Sequence, residues 1–111
     1  MATVSNQLRE SVQRLASTAR EQQEYLRRLG TTPSADELAL EFSDALMVAK
    51  KDLSNEANDS AIRLDEYLSE ISGAEHASLW TESALADSPE WRRVRQLAAA
   101  LLRCLDEQQE G

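Results

Sequence analysis

Five residues punctuate this chain: Gly30, Gly73 and Gly111 are its only glycines, and Pro33 and Pro89 its only prolines. Glycine and proline are the strongest interrupters of regular backbone. The stretches 5–29 and 34–72 contain neither, and 89–107 contains only the proline that opens it. Inside these stretches apolar residues return every three or four positions, and none alternates with polar residues over the length of a strand. That pattern is helical. The expected fold is therefore all-α: a long antiparallel helical hairpin plus a C-terminal helix, forming a three- or four-helix bundle, with dimerisation as one way of completing it. At 111 residues a single domain, 1–111, is expected.

The first helix, about 5–29, reads most clearly. Leu8, Val12, Leu15, Ala19, Gln22, Leu26 and Leu29 form a seam at spacings of 4, 3, 4, 3, 4 and 3. Ser5 or Thr3 suits its start and Gly30 its end. Gln22 is the only polar residue on the seam; such a residue either fixes register or oligomeric state or is a tolerated imperfection.

A capping box, Ser34 with Glu37, follows Pro33 and opens the second helix. Leu38, Phe42, Ala45, Ala49, Leu53, Ala57, Ala61, Leu64, Leu68 and Ile71 then keep helical spacing as far as Gly73. An unbroken helix over 34–72 would be roughly 60 Å long, against about 40 Å for the first. Ser54 to Ser60, rich in Ser, Asn and Asp, is the weak point where a break would give four helices of similar length. The stripe continues through this stretch, which favours the continuous helix. Its overhang then favours a homodimer.

Residues 74–88 read as a connector with a short helical turn over 77–86 that carries Leu79, Trp80 and Leu85. Trp80 there either plugs the end of the bundle or anchors a partner. Ser88-Pro89-Glu90 is a strong start for a last helix, 89–107, that turns Trp91, Val94, Ala98, Leu101 and Leu105 to the core, broadened by Leu97 and Leu102. The tail from Asp106 is expected to fray.

Charge is unevenly spread. The net charge is −8: residues 1–30 carry five Arg against three Glu, residues 31–90 three bases against fourteen acids, and residues 91–111 four Arg against three acids. An acidic middle repels nucleic acid and anionic membrane. No apolar run approaches a bilayer span, and the first residues lack the profile of a secretion signal. A single cysteine, Cys104, excludes an internal disulfide and fits a reducing compartment, so the cytoplasm is expected.

Catalytic chemistry finds no foothold. One Cys and one His, 28 positions apart, cannot build a zinc site, and no Glu-x-x-His pair supports a di-iron bundle. Cys104 lies late in an amphipathic helix, where dipole and apolar neighbours raise a thiol pKa. His76 has no nucleophile elbow beside it, and no glycine-rich phosphate loop exists. No cofactor, metal or catalytic residue is expected.

Leu29-Gly30-Thr31-Thr32-Pro33-Ser34-Ala35-Asp36-Glu37-Leu38-Ala39 resembles the opening of a helical segment of bacterial sigma factors, where Leu-Gly-x-x-Pro-Thr-x-x-Glu-Leu-Ala is common. The resemblance spans eleven residues and implies a helical DNA-associated regulator. No basic recognition helix follows, the surroundings are acidic, and Arg92, Arg93 and Arg95 form the only tight basic cluster. DNA association therefore ranks last. The preferred reading is a non-catalytic helical protein-binding module, an adaptor, inhibitor or immunity-type factor. Its partner would be a protein with basic character, met by Asp36, Glu37, Glu41, Asp44 and Trp80. Second comes a self-assembling structural helix protein or subunit of a larger complex.

Overall fold

A computed structural model describes residues 6–28 and 35–110. Helices α1 (Asn6–Ala16), α2 (Ala19–Arg28), α3 (Asp36–Ala49), α4 (Asn55–Glu70), α5 (Glu82–Asp87) and α6 (Pro89–Glu110) follow one another, with 3-10 turns at Lys50–Asp52 and Ala74–Trp80. The described residues contain no strand, so the chain is an all-α helical bundle.

The expected first helix is divided. Ser17 and Thr18 leave the helical path, and Thr18 caps α2: its Oγ1 accepts from the Glu21 N–H at 3.2 Å, while the Glu21 carboxylate accepts from the Thr18 N–H at 3.3 Å. This is a reciprocal capping box. Gln22 supplies the other half of the joint. Its Nε2 donates to the carbonyls of Arg14 at 3.0 Å and Leu15 at 3.1 Å at the end of α1, the first of which also accepts from the Ser17 hydroxyl at 2.6 Å. Pro33, Ser34, Leu29 and Gly30 lie outside the described residues, so the expected capping box at Ser34 does too.

The long second helix is also divided, and the continuous form is corrected. After α3 and its 3-10 turn, Leu53 is extended (φ −87, ψ 142) and Ser54 caps α4 by accepting from the Ala57 N–H at 3.2 Å. The molecule measures 41 × 27 × 21 Å, too short for a straight helix of roughly 60 Å. With the break goes the overhang on which the expected dimer rested. The short turn over 77–86 is likewise two pieces, because Thr81 ends one and caps the next. The last helix runs to Glu110 instead of fraying from Asp106.

α6 packs against both α1 and α4, α3 packs on α1 and touches α4, and α2 rests on α5. Arg9, early in α1, pairs with Asp106, late in α6, so those two helices run antiparallel. The core is the expected stripe almost residue for residue. Leu8, Val12, Leu15, Gln22 and Leu26 are buried, as are Leu38, Phe42, Ala45, Ala49, Ala57, Ala61, Leu64, Leu68 and Ile71, and the five inward residues of α6. One end is closed by aromatic residues: Trp80 and Trp91 meet edge to face at 5.3 Å and 83°. The Trp91 indole donates to the Leu79 carbonyl at 2.5 Å, and the Trp80 indole to the Ile71 carbonyl at 2.7 Å, at the end of α4.

Candidate protein-binding surface

α3 is the element that carries the expected contact residues. Its inner face, Leu38, Phe42, Ala45 and Ala49, is buried. Asp36 and Glu37 are exposed in its first turn, where acids favour the positive end of the helix dipole, and Asp44 is exposed a further turn or two along.

Glu41 stands apart from them. Its Oε2 accepts from the Tyr25 hydroxyl at 2.5 Å, and its Oε1 lies 3.6 Å from the Arg14 guanidinium. That guanidinium also sits 4.4 Å over the Tyr25 ring. The cluster ties α3 to the α1–α2 elbow, so Glu41 works as an internal anchor. Burial first, then the bond to Glu41, raises the Tyr25 pKa above 10.0.

Trp80 is placed as a plug. It is half-buried and its N–H is spent on Ile71, yet one side of it lines a shallow recess of about 400 Å³ with Asp36, Ser72, Gly73 and Ala77. Two of the expected contact residues therefore share one depression. A larger groove, about 580 Å³, follows the α1–α2 elbow past Glu10, Arg14, Glu21, Tyr25 and Arg28. Acids and bases alternate round it, so its charge selects no ligand.

Sequence reasoning missed the apolar half of the α3 surface. Leu40, Met47 and Val48 are 55%, 78% and 68% exposed, and Ile62 is the only other exposed large hydrophobic residue among those described. α3 thus carries a second set of large apolar side chains, which no described residue covers. The signal was present, since these three residues lie off the Leu38–Phe42–Ala45–Ala49 phase.

The remaining candidates for chemistry are quiet. Cys104 is half-buried, and burial, helped by Glu107 and Glu56, pushes its thiol above the ordinary value of 9.0. His76 is partly exposed, with Nε2 3.7 Å from a Glu75 carboxylate oxygen. No group of three metal-ligating side chains occurs among the described residues, and no helix there is long and apolar enough to cross a membrane. Of the basic cluster, Arg92 and Arg93 are exposed, but Arg95 turns inward and donates to the Leu85 carbonyl at 2.9 Å and to Gln22 Oε1 at 3.2 Å. No family model, curated protein or solved structure matches the chain.

Proposed function

We propose that this protein is a non-catalytic helical interaction module whose contact surface is the outer face of α3. One observation carries the reading. Leu40, Met47 and Val48 stand exposed on a helix whose opposite face already fills the core. Exposing three large apolar side chains on one helix is unfavourable in water, and a protein surface that removes them recovers roughly 25 cal/mol for each Å² covered. Asp36, Glu37 and Asp44 surround the apolar residues with negative charge, which steers basic groups of a partner and speeds encounter more than it adds affinity. The raised thiol of Cys104 supports a module without thiol chemistry of its own. The single cysteine fits a protein of the reducing cytoplasm.

The test compares the full-length protein with a Leu40→Glu, Met47→Glu variant in its cell of origin, after circular dichroism has established equal helix content. Both residues are outside the core, so the variant should fold. We expect partner capture to fall tenfold or more, equivalent to ~1.4 kcal/mol or above. Unchanged capture by the folded variant would place the contact surface elsewhere.

A further inference from the structure

The outer face of α3 has an internal symmetry. We propose that its occupant is a second copy of this chain, with the two α3 helices lying antiparallel across a twofold axis that passes between Ser43 and Asp44. The inference rests on the reading of α3 as a protein-binding face, and it names the partner.

Leu40, Asp44, Met47 and Lys51 follow one another at spacings of 4, 3 and 4 and form one outward stripe, all of it exposed. Turning α3 end over end about the point between Ser43 and Asp44 exchanges Leu40 with Met47. The same rotation exchanges Asp36 with Lys51 and Glu37 with Lys50. An isologous contact requires this property: whatever one copy offers at a position, the other must complement at the position related by the axis. Here apolar meets apolar in the centre, and the acidic start of each helix meets the basic end of the other. The helix dipoles also run antiparallel in that arrangement, so each positive end approaches a negative one. The basic groups that the acidic face calls for are thus Lys50 and Lys51 of the second copy, the only lysines in the chain.

One pairing opposes the contact. Asp44 of one copy comes beside Asp44 of the other near the axis, and like charges facing each other are unfavourable. The opposition gives the proposal a signature that a separate basic partner cannot mimic. Removing the Asp44 charge should strengthen self-association, whereas it should weaken binding to a basic protein.

A helix of 14 residues offers about 21 Å of contact, the low end of specific interfaces, so a dissociation constant of roughly 10–100 µM is expected. Sedimentation equilibrium of the full chain from ~1 µM to ~1 mM reads this range directly. Met47→Glu should weaken association tenfold or more, and Asp44→Asn should tighten it about two- to fivefold. Two further variants reverse the ends separately: Asp36→Lys with Glu37→Lys, and Lys50→Glu with Lys51→Glu. Each alone should be monomeric at concentrations where the wild type associates. Mixed in equal amounts they should form a heterodimer, because the reversed end of each then meets the oppositely charged reversed end of the other, and the two unreversed ends still match. Two misfolded variants could not restore one another in this way. A wild type that stays monomeric to ~1 mM, or a mixture that fails to associate, overturns the proposal. If monomeric wild type still loses a cellular partner through Leu40→Glu and Met47→Glu, the binding face stands and only the second copy as its occupant falls.

Discussion

At the scale of single residues, the chain settles the bend at Ser17–Thr18 with side chains that stand in for backbone partners. Thr18 and Glu21 cap one helix while Gln22, four residues after Thr18 on the seam, reaches back to carbonyls at the end of the other. Thr18→Ala should cost about 1 kcal/mol, the usual value of an N-cap. Gln22→Leu keeps the volume but removes the side-chain donor to the Leu15 carbonyl and one Arg95 bond, while the Arg14 carbonyl keeps Ser17, and should cost about 1–3 kcal/mol in chemical denaturation. A neutral Gln22→Leu would show that water can serve the same groups. Thr18-x-x-Glu21 has the form of a capping box, but an unbroken seam over 5–29 gave it no helix end to serve; the role of Gln22 was hidden too, because carbonyls become available only once the helix is known to end before it.

Tyr25 gives a pH prediction. Its pKa is raised in the fold, by burial first and then by Glu41, so the folded state holds the phenolic proton more tightly than the unfolded chain does. That contribution is intact below 10.0 and is lost as the pH rises through the raised folded value. Tyr67, raised mainly by burial, acts in the same direction. The unfolding temperature should therefore decline above pH ~10, and Tyr25→Phe should make the decline shallower without abolishing it. An equal slope in the variant would remove Tyr25 from the account.

At the scale of elements, the break between α3 and α4 was written in the spacing of the stripe. Ala45, Ala49, Leu53, Ala57 and Ala61 follow at four consecutive intervals of four. At 3.6 residues per turn these intervals rotate the stripe by about 160°, so one straight helix would point Ala45 and Ala61 to nearly opposite sides. Both are buried in the same core because the chain turns between them. The seam of the first arm has the opposite lesson. From Leu8 to Leu26 it returns to the same face after about five turns, so its phase carried no trace of the Ser17–Thr18 bend. Ser54→Ala should cost about 1 kcal/mol if this residue starts α4.

α3 itself makes a double prediction. Phe42→Ala empties a fully buried position and should cost ~3–5 kcal/mol. Leu40→Gln and Met47→Gln should each change stability by no more than about 0.5 kcal/mol, because the fold gains nothing from covering them. A large loss from either Gln variant in dilute protein would mean that the outer face is covered within the chain.

At the scale of the whole molecule, fold class and core were readable because burial follows helical period, and nearly every residue of the expected stripe is inside. The contact surface was readable only in its charged part. Asp36, Glu37 and Asp44 stand out in any sequence, whereas exposure of Leu40, Met47 and Val48 is a property of the assembled bundle. Glu41 and Trp80 show the converse: each looks available in one dimension and is engaged within the molecule in three. Whether the outer face of α3 meets protein can be read by placing a photo-reactive side chain at Met47 in the cell and comparing it with the same group at exposed Ser69 on α4. A discrete adduct is expected from position 47, at twice 12.4 kDa if the second copy is the occupant, and none of comparable yield from position 69. The absence of any adduct at 47 beyond that at 69 would contradict it.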